Sequence, residues 1–146
     1  MGYTLKIGEA AVEADLSERW ATCTVADARS DDAPLGSTPA AEHSNECCPS
    51  YTAWHEFTRR TKLVSVFFPV DRHAVYDGLL SSHPGCAKLT QDHLLAFKEA
   101  LRNHVSPDPL PPEAGGVDWD LRRLEWLVWW TDWALANCEN PTFCNS

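Results

Sequence analysis

The stretch "LRRLEWLVWWTDWALANCENP", residues 121–141, decides how this chain is read. Four of the seven tryptophans, Trp126, Trp129, Trp130 and Trp133, fall within eight positions of it, among leucines and carboxylates. Pro141 disfavours helix in the residue before it, so the segment predicts one helix from Asp118 to Cys138. At about 100° per residue, Val117, Leu121, Leu124, Val128 and Leu135 gather within about 60° of arc. Trp119, Trp126, Trp129, Trp130 and Trp133 take the opposite side, within about 100° by the same stepping. Asp118, Glu125 and Asp132 form an acidic seam between the two. A surface helix carries one apolar stripe. Two opposed stripes predict a helix that is sandwiched inside its domain or that offers its indole side to a partner.

Core packing is the first reading of that indole side. It would lie against the N-terminal strands and a short helix in "SYTAWHEFTRRTKL", whose Tyr51, Trp54 and Phe57 recur at helical spacing. A protein interface is the second reading, because tryptophan is enriched at binding hot spots. A cage for a cationic ligand is the third. Arg122 and Arg123 are expected to stack on neighbouring indoles or to pair with Asp118 and Glu125.

Outward from this helix, the sequence predicts one α+β domain over residues 1–146, a small N-terminal antiparallel sheet packed on three to four helices. Tyr3, Leu5 and Ile7 alternate with Thr4 and Lys6, and Ala21, Cys23 and Val25 alternate with Thr22 and Thr24, which places two short strands within residues 1–28. Residues 29–49 are rich in turn formers and read as a long loop. Helices are expected over 50–105, with a short strand or buried connector in "LVSVFFPV" near 63–68 and a helix begun by Asp71. The cleanest amphipathic element is "TQDHLLAFKEALRNHV", with Thr90 as cap and Leu94, Phe97, Leu101 and Val105 on one face. A proline-rich loop, 106–116, precedes the long helix at 117–139.

Composition narrows the function classes. Apolar residues make up 44% and charged residues 23% of the 146, which is ordinary for a globular domain. A net charge of −9 argues against direct nucleic-acid or anionic-membrane binding, both of which need clustered Lys and Arg. Residues 1–48 hold nine acids against three bases, and residues 113–146 hold six against two. The N-terminal stretch "MGYTLKIGEAAVEAD" lacks the apolar run of a secretory signal, and no segment reaches the roughly 20 apolar residues of a membrane span, so a cytoplasmic location is expected. There the six cysteines would be reduced and would pack as small hydrophobes.

One cluster carries metal-ligand residue types: His43, Cys47, Cys48 and His55 in "HSNECCPSYTAWH". A tetrahedral zinc site could use all four. Paired zinc ligands need two to four residues between them so that a turn presents both, and adjacent cysteines do not meet that requirement, so no metal or cofactor is expected. Cys48, just before the helix opening at Ser50, would feel a positive helix end that lowers a thiol's pKa. That meets one requirement of a Cys–His nucleophile and leaves the orienting partner and oxyanion donors unmet. The sequence contains no phosphate-cradling glycine loop, nucleophile elbow or HExxH.

The blocks "CPSYTAWHEF", "HPGCAKLTQDHL" and "LEWLVWWTDWALANCENPTFCNS" resemble a loose group of small uncharacterised proteins of phage and environmental bacterial genomes, over residues 43–146. The resemblance implies an intracellular, phage-related accessory protein and carries no activity with it. The leading expectation is a non-enzymatic module that binds another protein or itself, through the aromatic face or the acidic N-terminal region. Its rivals are an acidic inhibitor that imitates nucleic-acid charge, and a zinc- or thiol-dependent enzyme built on His43 to His55.

Overall fold

A computed structural model describes residues 1–10, 24–34, 43–68 and 78–146. In chain order the strands are β1 (Leu5–Glu9), β2 (Glu46–Cys47), β3 (Gly85–Lys88) and β4 (Pro141–Asn145). The helices are α1 (Tyr51–Arg60), α2 (Val64–Phe67), α3 (Gln91–Asn103) and α4 (Trp119–Asn137), with a 3-10 turn at Pro112–Ala114 before α4. The fold is α+β.

The sheet is antiparallel throughout, in the order β2-β1-β4-β3. It draws one strand from the N-terminus, one from the expected loop at 29–49, one from the centre and one from the last residues of the chain. Period-two alternation locates β1, whose Leu5 and Ile7 are buried. β4 escapes that signal because all five of its residues are buried. Register sets the two sheet faces. Ile7 pairs with Phe143 and Phe143 with Ala87 on the core side. Lys6 pairs with Cys144 and Cys144 with Cys86 on the other. The second expected strand begins outside the described residues, and only Val25 is seen in a ladder contact, an isolated antiparallel bridge to Ala10.

Cys86 and Cys144 are joined by a disulfide across β3 and β4. This corrects the expectation of reduced thiols: neither cysteine alternates within a recognisable strand, so their pairing was invisible before the sheet was assembled. Val25 closes over the bond to form a small second apolar cluster. Asn45 fastens that covering segment to β1. Its amide Nδ2 donates to the carbonyls of Ile7 (2.8 Å) and Ala26 (2.9 Å), and its Oδ1 accepts from the backbone N–H of Ala28 at 3.1 Å.

The helices begin where the sequence offers caps. Ser50 accepts from the backbone N–H of Ala53 and starts α1. His93 accepts the backbone N–H of Thr90 at the start of α3 (2.9 Å). Within "LVSVFFPV", Val64–Phe67 form helix α2 instead of the short strand that is one of its two expected forms. Its run of apolar residues has no period that separates strand from helix, and the burial of Leu63, Val66 and Phe67 satisfies the helical pattern. Residues 71–77 of the helix expected from Asp71 lie outside the described residues, and its expected end, residues 78–82, forms turns and not helix. Val105, expected on the apolar face of α3, lies beyond its end and is 84% exposed.

Helix α4 is unbroken over 19 residues, about 28 Å at the standard rise. It packs on β1, β4 and α3. Its buried residues are Leu124, Trp126, Leu127, Trp130, Thr131 and Ala134, which span about 160° of one continuous arc. The two opposed faces of the sequence reading therefore resolve into a single broad core face. Leu127 and Ala134 fill the space between the aliphatic and indole groups. Trp129 and Trp133 half-bury one flank, Leu121, Val128 and Leu135 the other, and Glu125 and Asp132 keep a narrow exposed seam. Trp126 and Trp130 join Trp54, Phe57, Leu5, Ile7 and Phe143 in the main core. Ring contacts link α1, α2, α3 and β4: Trp54 meets Phe57 at 4.8 Å and Phe67 at 5.3 Å, and Phe67 meets Phe97 and Phe143 at 5.8 and 5.7 Å.

Candidate binding groove

Where α4 begins, the packing opens. The last turn of α1, the α1–α2 corner, the second half of α3, residues 103–118 and the first turn of α4 enclose a cavity of about 1030 Å³. Its apolar lining includes Leu63, Val66, Val105, Leu110, Val117 and Trp119. The proline-rich segment cannot continue α3 as regular structure and so bows away from the helices. Gly115 and Gly116, at φ 65° and 77°, return it toward α4 through backbone angles that favour glycine.

Two polar anchors hold this wall. Asp118 caps α4 by accepting the backbone N–H of Leu121 (3.0 Å), and it also accepts from His104 Nε2 (2.8 Å) and the Ser106 hydroxyl. Burial pushes the Asp118 carboxyl upward. The hydrogen bonds from His104, Ser106 and Leu121, with the histidine's charge, outweigh that and hold it below its ordinary value. The second anchor is Arg60, whose Nε and Nη2 donate to the two oxygens of Asp120 at 2.8 and 2.9 Å. This fork joins the end of α1 to the start of α4 and holds the Arg60 guanidinium more firmly protonated. Trp119 completes the wall: its Nε1 donates to the Ala114 carbonyl at 3.2 Å, and Arg122 lies 5.6 Å over its ring.

The Asp118 anchor makes a pH-dependent prediction. A carboxyl held low in the folded state stabilises it above the unfolded carboxylate pKa, and that stability is lost as pH falls through the folded value. Asp118→Ala should cost about 1–2 kcal/mol at neutral pH, the usual value of an N-cap. Urea denaturation should find the gap between variant and wild type shrinking below about pH 4, the ordinary carboxyl range. A gap unchanged from pH 7 to pH 3 would refute the assignment.

The other candidate residues are distributed elsewhere. Trp126 and Trp130 are buried at 1% and 0% exposure, and Trp126 Nε1 donates to the Ser44 carbonyl at 3.0 Å. Of the five indoles on the predicted face, Trp119 alone lines the groove. Arg122 stacks on an indole as expected, whereas Arg123 lies 5.9 Å over the ring of Phe57. His43 bonds the Ala33 carbonyl through Nδ1 at 2.7 Å, and His55 bonds the Tyr3 hydroxyl through Nε2 at 3.1 Å and stacks on Phe68. Cys47 is buried in β2, while Cys48 is exposed and donates to Glu46 at 3.4 Å. No group of three or more His, Cys, Asp or Glu gathers as a metal site among the described residues. The Cys48 thiol is also displaced the opposite way from the expectation: desolvation and then the Glu46 carboxylate raise its pKa. Both effects disfavour the thiolate a nucleophile needs.

A second polar cluster sits at the sheet end. His83 Nε2 meets the Tyr51 hydroxyl at 3.0 Å, and its Nδ1 bonds Asn145 Oδ1. The Asn145 amide Nδ2 already donates to Ser82 and Gly85 carbonyls, so Oδ1 is the acceptor and Nδ1 of His83 carries the proton. Tyr3 packs edge-on against both Tyr51 and His83.

The groove was not foreseen from the sequence. Arg60 and Asp120 stand 60 positions apart, and no local pattern links them. The one available signal was a proline-rich segment between two helices, a common setting for a functional loop. No helix among the described residues is long and apolar enough to cross a membrane. The chain matches no known family, and no curated protein or solved structure shows significant similarity to it.

Proposed function

We propose that this chain is a non-enzymatic protein-binding module that receives a partner's segment in the groove between α1, α3, the proline-rich loop and α4. The observation that carries this reading is the open cavity of about 1030 Å³ with an apolar floor and a wall held by the Arg60–Asp120 and His104–Asp118 pairs. A cleft of this size where several elements meet is a common form of binding site, and this one mixes apolar residues with both signs of charge. Trp126 and Trp130 are buried in the core, so the surface proposed for the partner is the one at the first turn of α4. An acidic inhibitor and a thiol-dependent enzyme are less well supported: the groove is lined by both signs of charge, and the exposed thiol is shifted away from reactivity.

Val105 provides the test. At 84% exposure it lines the groove and contributes little to the core, so Val105→Asp should leave the melting temperature unchanged. Partners isolated with the wild-type chain from its native host should bind the variant about tenfold or more weakly, the loss expected for one contact worth about 1.4 kcal/mol. Equal affinity for both proteins would refute the groove.

A further inference from the structure

The groove contains a partly buried cation, Arg123, that has no ion-pair partner among the described residues. Arg123 lines the cavity from the second turn of α4. Its Nε is buried with no hydrogen-bond partner, and no ion pair links it to any other described residue. The nearest candidate on its own helix is Asp120, three positions earlier, where a carboxylate and an arginine can meet. Arg60 occupies both oxygens of that carboxylate. What Arg123 has instead is the face of Phe57 at 5.9 Å. Desolvation lowers its pKa, the proximity of Cys47 and Asp120 partly offsets this, and the charge of Arg60 adds to the lowering.

Removing a guanidinium from water without a carboxylate is costly, more so than leaving a neutral indole N–H or hydroxyl unpaired. Arginine presents five N–H donors in a planar fork that matches a carboxylate through two parallel hydrogen bonds. Glu56 and Asp120 are engaged by Arg60, and Asp118 by His104, Ser106 and the α4 cap, so these acids do not compete for the fork. Lys62, Glu99 and Glu113 also line the cavity, and of its cations Arg123 is the one with a buried, unpartnered N–H, which distinguishes it from the exposed Lys62. We infer that Arg123 is a carboxylate-recognising subsite of the groove, which receives the C-terminal carboxylate of an otherwise apolar partner segment. This rests on the groove being the partner site, and it adds the chemistry that sets which segment fits.

The test uses N-acetyl-leucyl-leucine with its carboxylate free, the same dipeptide amidated, and octanoate, each titrated into the full chain. NMR follows the Arg123 Nε–Hε, Trp119 indole and Val105 methyl signals. The free acid should shift the Arg123 signal and bind at least about tenfold more tightly than the amide, in keeping with a charge-assisted, bidentate contact. Arg123→Gln should bring that ratio to about 1, whereas Arg123→Lys, which keeps the charge and guards against a folding defect in the glutamine variant, should retain part of it. Acid and amide binding equally to the wild type, or a ratio that survives Arg123→Gln, would overturn the subsite while leaving the groove intact if Val105 and Trp119 still respond. No response at Val105 or Trp119 to any probe would overturn both readings. Octanoate binding more tightly than the peptide acid would identify a site for a free small acid and overturn the assignment to a partner segment.

Discussion

Truncation of Trp130 to alanine is expected to destabilise the chain by about 3–5 kcal/mol, the usual cost of removing a large aromatic from a packed interior. Trp130 is fully buried and makes edge-to-face contacts with Trp129 at 4.7 Å and Trp133 at 5.2 Å, so its removal opens a cavity and unsupports two half-buried neighbours at once. With total stabilities of about 5–15 kcal/mol for domains of this kind, the variant would stand near the threshold of folding. Trp133→Ala, at the half-exposed flank, should cost about half as much, because less of its area leaves water on folding. Urea unfolding followed by far-ultraviolet circular dichroism measures both. A Trp130→Ala loss below about 1 kcal/mol, within the range of surface substitutions, would mean that this part of α4 is not core.

The second large effect concerns the bond across β3 and β4. Cys86 and Cys144 are 58 positions apart, and a cross-link of that span removes about 4 kcal/mol of loop-closure entropy from the unfolded chain in the simplest treatment. The Cys86→Ala/Cys144→Ala double variant should therefore be about 2–4 kcal/mol less stable than the oxidised wild type. Reductant should lower the wild-type melting temperature and leave that of the double variant unchanged. A wild type indifferent to reductant would refute the bond's contribution. The bond ties the C-terminal strand to the centre of the chain on the sheet face opposite α4, so its loss should expose the β4 amides to exchange before those of α4. Such bonds persist in oxidising surroundings, which stands against the reduced state that followed from an expected cytoplasmic location.

Much of the helical architecture is readable in the sequence. The helix starts at Ser50 and Asp118, the cap at Thr90, the proline after α4, and the spacing of Trp54 with Phe57 and of Leu94 with Phe97 are local signals carried by neighbouring residues. The sheet was only half legible. β1 alternates because the environments of its two faces differ, whereas β4 is buried along its whole length and follows the helix stop at Pro141, which conceals it. The distinction between aliphatic and indole faces on α4 was real in composition and absent in environment, because a helix wheel records which residues share a side and not what covers them.

The amino-acid sequence by itself determined the α+β class, the long C-terminal helix and the identity of most of its apolar residues, because those properties follow from periodicities of two and 3.6 and from caps within a few positions. Only the tertiary structure decided which indoles are core, which cysteines are bonded, and that Arg60 takes the carboxylate nearest to Arg123. Each of these depends on residues tens of positions apart arriving at one place, and the competition among them for a neighbour is settled by distance in space, which no local pattern encodes.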